Sequence, residues 1–187
     1  MKKLVTSLAL LSVFHAASAG IVYTAKSAEA QTLIYNWDSG TKGCGLRLIV
    51  LTDIPASFHA LDASLNIFKK DQEYWGTLKG GYSHLKQGGS TGMSLAPLPL
   101  ESINFLFSNG NRVPHDKYKN ADTPGHLIAS SDPVETANYL LEIVSGVETM
   151  VAVKLIEEST SRVFRFNAVF ESGDVTAFRR CMNGLAS

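Results

Sequence analysis

The chain of 187 residues carries 17 basic and 17 acidic side chains, so its formal charge is zero, and 45% of its residues are hydrophobic. Ordinary apolar content without net charge excludes a disordered chain, and the length suits a single core. The lack of a basic excess argues against a nucleic-acid binder, whose affinity rests on neutralising phosphates.

Lys2 and Lys3 precede an apolar run from Leu4 to Phe14, and small residues follow. That order is the anatomy of a secretory signal peptide. Two cleavage sites fit the small-x-small rule, one after Ala17-Ser18-Ala19 and one after Ala28-Glu29-Ala30. The second is favoured, because Gly20-Ile21-Val22-Tyr23 prolongs the apolar stretch and Thr24 to Ala30 then supplies a polar end. The competing reading is an uncleaved anchor, since Leu4 to Tyr23 approaches the ~20 residues a bilayer needs; His15 and the small polar residues weaken it. The expectation is a signal peptide over 1–30 and one exported β-rich domain over 31–187, periplasmic or secreted, with no membrane span after cleavage. Losing Lys2, Lys3, Lys26 and Glu29 would leave 14 basic and 16 acidic side chains, a net charge of −2.

Thr32 to Trp37 reads as a strand, as does the apolar run Gly45 to Leu51. Leu61 to Ile67 alternates apolar and polar residues, which marks a half-buried strand. Tyr74 to Leu78 and Tyr82 to Leu85 flank Lys79-Gly80-Gly81, which predicts a hairpin closed by glycines. Residues 87–99, rich in Gly, Ser and Pro, predict a loop. Ile103, Phe105 and Phe107 predict another strand. Residues 112–131 predict a long polar surface excursion with room for one short strand.

A helix is predicted from Pro133 to about Ser145, with Asp132 as cap, Glu135 completing a capping box and Gly146 as the stop. Thr149 to Ile156 and Arg162 to Phe170 predict two strands joined as a hairpin, since no crossover helix separates them. A last helix starts at Asp174, with Val175, Phe178, Cys181 and Met182 on its apolar side, and stops near Gly184. Six to eight strands and two helices in the C-terminal third make an α+β domain, an antiparallel β-sheet or sandwich with helices docked on it.

Cys44 and Cys181 are the only cysteines. In an oxidising compartment a lone pair is most simply one disulfide. Closing so long a loop stabilises by roughly 4–5 kcal/mol on the loop-entropy argument. The rival is a catalytic thiolate at Cys44, inside Gly43-Cys44-Gly45, and that needs a base which no histidine is placed by sequence to supply.

Motifs of chemistry are scarce. His59, His84, His115 and His126 lack metal-ligand spacing; His115 and His126, with Asp116 and Asp122, are the nearest approach to a set. Ser130 and Ser131 lack the glycines of a nucleophile elbow and suit a helix start. Glu157-Glu158 reads as a solvated hairpin turn, and Gly80-Gly81 and Gly88-Gly89 match no phosphate-binding loop. Arg179-Arg180 complements a helix dipole. Lys69-Lys70, Lys79 and Lys86 surround aromatic residues, so Tyr74, Trp75, Lys79 and Tyr82 form the candidate binding surface, for a glycan or an acidic partner.

Phe166 to Leu185, an alternating strand, a Ser-Gly turn and a helix with Ala177, Phe178 and Cys181, resembles the end of the invasion-associated locus B-like family of exported alphaproteobacterial proteins. The resemblance implies a β-rich periplasmic domain with disulfide-bonded cysteines and no established catalytic residues. The reading is therefore a non-enzymatic exported domain, without cofactor or metal, that binds a protein or glycan. The alternatives are an inhibitor of a secreted enzyme such as a lysozyme, using a loop in 87–99 or 112–131, and an envelope hydrolase using acids with His115 or His126.

Overall fold

The computed structural model describes residues 21–25, 27–54, 57–88 and 92–186. In chain order the strands are β1 (Ile21–Thr24), β2 (Ser27–Asn36), β3 (Lys42–Ile54), β4 (Ser57–Lys70), β5 (Glu73–Gly88), β6 (Gly92–Leu98), β7 (Leu100–Leu106), β8 (Lys119–Asn120) and β9 (His126–Ser131). Helix α1 (Pro133–Val144) follows, then β10 (Thr149–Leu155), β11 (Arg162–Phe166), β12 (Val169–Phe170) and α2 (Asp174–Ala186). The protein is α+β, as its patterning predicts, with both helices after residue 130.

The strands form two packed sheets. The large one runs β12-β2-β3-β4-β5-β9-β8, with β6 continuing beside β5, and the small one runs β1-β11-β10-β7. Period-two alternation fills the space between them. Leu46, Leu48 and Val50 of β3 and Leu61, Ala63 and Leu65 of β4 join Ile103, Phe105, Val151, Val153 and Phe164 of the small sheet in one core.

Both helices lie on the inner face of the large sheet, α1 against β4 and β5 and α2 against β2 and β3. Asp132 caps α1 as its sequence predicts, with the Glu135 amide donating to Asp132 Oδ1 at 2.9 Å, and Gly146, at φ +81°, follows its end; the return arm of the expected capping box is not formed, because the Asp132 amide donates to the Pro114 carbonyl at 3.0 Å. Tyr139 fixes its position, edge-on to Phe105 and Phe107, with its hydroxyl donating to the Met150 carbonyl at 2.8 Å. Helix α2 is tied to β3 by the Cys44–Cys181 disulfide, whose Cα atoms are 5.9 Å apart. The bond expected from two cysteines is therefore formed, and no free cysteine remains.

Three local expectations are corrected. No turn forms at Lys79-Gly80-Gly81, because β5 runs through it; a β-carbon at Gly80 would strike Ile103, and one at Gly81 would strike the His126 ring. The two glycines make room for neighbours, and the β4–β5 turn lies at Asp71, where φ is +54°. The expected loop 87–99 contains β6, paired antiparallel with β5. The single strand expected over 162–170 is two, since the chain leaves the small sheet after Phe166 and joins the large one at Val169.

Residues 1–20 of the expected leader, with the cleavage motif at Ala19, lie outside the described residues. Residues 21–24 and 27–30, which fall within the expected 1–30 leader, form β1 and the first part of β2. Tyr23 stacks on Phe164 at 5.6 Å, and Ala28 and Ala30 are buried in the core.

Candidate functional site

With the small sheet and both helices on the inner face, the outer face of the large sheet is open to solvent. Alternation places Tyr35 and Leu33 of β2, Arg47 of β3, Asp62, Ser64, Asn66 and Phe68 of β4, and Trp75, Thr77 and Lys79 of β5 on that face. Two features occupy it side by side.

The first is a run of rings. Phe68 lies over Gly43, where any β-carbon would strike it, and so rests on the sheet. Trp37 and Trp75 stack near-parallel to it on either side, at 5.3 and 5.6 Å between centroids, and Tyr35 packs on Phe68 at 5.1 Å. Trp37 stays 47% exposed. An aromatic residue left this exposed is characteristic of a contact surface, where its broad face offers apolar area and its N–H a polar handle.

The second is a cleft of about 240 Å³, lined by Leu33, Tyr35, Arg47, Asp62, Ser64, Lys79, Thr123 and His126. Arg47 donates from Nε and Nη2 to the two Asp62 oxygens at 2.8 and 2.7 Å, a bidentate pair. Burial pushes the Asp62 carboxyl up, but Arg47 and then His126 outweigh that and hold it below its ordinary value. Lys79 donates to Asp122 and Thr123, both at 2.7 Å, so the turn before β9 walls the cleft. Tyr35 joins the two features: its hydroxyl donates to Asn66 Oδ1 at 3.1 Å, over the floor left by Gly45.

No family model, curated protein or solved structure matches this chain. The site is therefore described from its own geometry. The four residues singled out in sequence do not form one patch. Trp75 and Lys79 lie on the outer face, within the ring run and the cleft respectively. Tyr74 points to the other side, where its hydroxyl donates to the Leu185 carbonyl at 2.7 Å. Tyr82 is 0% exposed, so it belongs to the core and not to a surface. Sequence reasoning missed Tyr35, Trp37, Arg47, Asp62 and Phe68, which come from strands whose register no local signal sets.

A further cavity of about 550 Å³ opens on the inner side of β4 and β5, lined by His59, His84, Leu98, Leu155, Glu158 and Arg162 among others. Arg162 is closed into a network: its Nε donates to Glu158 Oε2 at 3.0 Å, Nη2 meets the other Glu158 oxygen, and Nη1 donates to the Tyr82 hydroxyl at 3.1 Å. Burial pushes the Tyr82 phenol up to about 12, against the pull of Arg162. His59 stacks on Tyr82 at 5.2 Å; burial, Arg162 and His84 lower its pKa while Glu158 opposes them.

His115 has a structural place. Its Nε2 lies 3.0 Å from Asn104 Oδ1, its ring packs on Tyr118, and the Tyr118 hydroxyl donates to the Ile103 carbonyl, pinning residues 112–120 to β7. Among the described residues no three His, Cys, Asp or Glu side chains converge as a metal would require.

Proposed function

We propose that the protein is a non-enzymatic exported domain that holds a glycan on the open face of its large sheet. The observation that carries this is the run Tyr35–Trp37–Phe68–Trp75 lying directly beside the Arg47–Asp62–Lys79 cleft. A sugar ring has an apolar C–H face and a polar rim of hydroxyls. It is matched by an apolar floor next to a few fixed donors and acceptors, which is how small polar ligands are oriented.

The residues of the cleft are arranged to hold and not to transfer protons. His126 directs Nδ1 at the Pro124 carbonyl, at 3.3 Å, and Nε2 at Asp62, at 3.6 Å. Both ring nitrogens face acceptors, so this imidazole has no lone pair turned towards a nucleophile. The segments that an inhibitor would use as protruding loops are partly absorbed into the sheets, 92–98 as β6 and 112–131 through β8, β9 and the His115 clip.

Export is supported by the leader-like N-terminus, by the resemblance of Phe166 to Leu185, and by a disulfide, which persists in oxidising compartments. Among the described residues no helix is long and apolar enough to cross a membrane. The test is retention of the exported protein on immobilised polysaccharides. Trp37→Ala and Trp75→Ala should each abolish retention, while Tyr74→Ala on the opposite face should leave it unchanged. Equal retention of all four proteins would remove the open face from consideration.

A further inference from the structure

Resting on the glycan reading, we infer that the ligand is an uncharged polysaccharide, one of whose vicinal hydroxyl pairs is read by the Arg47–Asp62 pair. The first argument is charge. The guanidinium of Arg47 is matched by Asp62 and the ammonium of Lys79 by Asp122, so the two cations of the cleft are each balanced by a carboxylate. An anionic sugar would gain Arg47 and Lys79 only by approaching Asp62 and Asp122 as closely. Unpaired like charges in a partly buried cleft cost more than such contacts return.

The second argument is the pattern of donors and acceptors. Arg47 spends one N–H of Nε and one of Nη2 on Asp62, which leaves three of its five N–H groups for other acceptors, and the Asp62 carboxylate beside them, whose Oδ2 also has His126 Nε2 at 3.6 Å, keeps further acceptor capacity. Arg47 and Asp62 remain 43% and 34% exposed at their side chains, so these atoms are accessible. A donor and an acceptor fixed side by side match two adjacent hydroxyls, one accepting from the guanidinium and one donating to the carboxylate. Ser64, next along β4, adds a hydroxyl that can play either part.

The third argument is size. A cleft of 240 Å³ has the liquid volume of about eight waters. That admits one sugar ring. Glycines keep it concave: a β-carbon at Gly45 would strike Asn66, and one at Gly81 would strike His126. With the ring run adjoining through Tyr35, a chain can lay one unit in the cleft and its neighbours over Phe68 and Trp37.

The experiment is affinity electrophoresis of the mature protein through gels holding neutral polysaccharides (xylan, mixed-linkage β-glucan, galactomannan) or anionic ones (alginate, polygalacturonate, heparin), at low and high salt. The neutral gels are repeated after periodate oxidation, which cleaves the bond between adjacent hydroxyl-bearing carbons to two aldehydes while iodate forms. Retardation is expected in at least one neutral polymer, insensitive to salt and lost after oxidation. Asp62→Asn should weaken it about tenfold or more, the loss expected when a site built to pair hydroxyls is left mismatched. Salt-sensitive retardation by anionic polymers alone would overturn this inference and leave the glycan reading standing. Neutral binding that survives oxidation would overturn the hydroxyl-pair assignment, and because the ligand is altered and not the protein, that result does not depend on how any variant folds. Retardation by neither class would overturn both readings.

Discussion

The ring of Phe68 lies across Gly43 on the adjacent strand, in the space a side chain at that position would occupy. The relationship lets one phenyl ring serve as the floor against which Tyr35, Trp37 and Trp75 all pack. Gly43→Ala should therefore force Phe68 off the sheet. Overpacking of this kind costs about 1–3 kcal/mol, read as a lower denaturant midpoint, and glycan retention should fall with it. A variant with the midpoint and retention of the parent would show that Phe68 has another place to go.

The bond between Cys44 and Cys181 joins β3 to the last helix, α2. Replacing both cysteines by serine, or reducing the protein, should lower stability by roughly 4–5 kcal/mol on the loop-entropy argument. The loss should show as early amide exchange over α2, whose attachment to β2 and β3 the bond secures. Unchanged denaturant midpoints with and without reductant would mean the packing of Phe178 and Leu185 suffices to hold the helix.

The placement of residues 21–25 and 27–30 bears on the two expected cleavage sites. A cut after Ala30 would remove β1, the buried Ala28 and Ala30, and the residues of β2 that pair with β12. A cut after Ala19 keeps them all. Intact mass of protein recovered from the periplasm of expressing cells should correspond to a chain starting at Gly20. A mass starting at Gln31, from a protein that is still folded, would show that the fold needs neither β1 nor the start of β2.

The lowered pKa of His59 makes stability depend on pH. The unfolded chain takes up a proton near the ordinary value of 6.5, while folded His59 resists protonation because burial, Arg162 and His84 disfavour its charge. The unfolded state thus binds more protons as pH falls below about 6.5. Stability should be level above that value, decline through the interval down to the folded pKa, and level off again below it until the carboxylates titrate. His59→Leu should flatten that interval in denaturant titrations. A parent protein equally stable on both sides of the interval would remove His59 as the cause.

The open face was half legible. Caps and stop signals locate α1 because they act within one turn of the chain, and the cysteine count suffices for the disulfide. Parity carried more than was drawn from it: Trp75 and Lys79 share one face of an alternating strand, whereas Tyr74 and Tyr82 share the other. Taking Gly80-Gly81 as a turn hid this, since a hairpin would have reset the count. Small residues in a strand signal either a bend or the approach of a neighbour, and only the position of Ile103 and His126 decides between them. The Arg47–Asp62 pair was not legible at all, because it depends on how β3 and β4 are aligned.

Both parallel pairings among the described strands join segments far apart in sequence: β1 lies along β11, and β2 receives β12. Each sheet completes one of its edges only when a strand about 140 residues further along the chain has been synthesised. Contacts so distant in sequence also form slowly, because the loop must close before it is rewarded. A nascent chain of this topology therefore keeps one edge of each sheet unfinished until late in its synthesis.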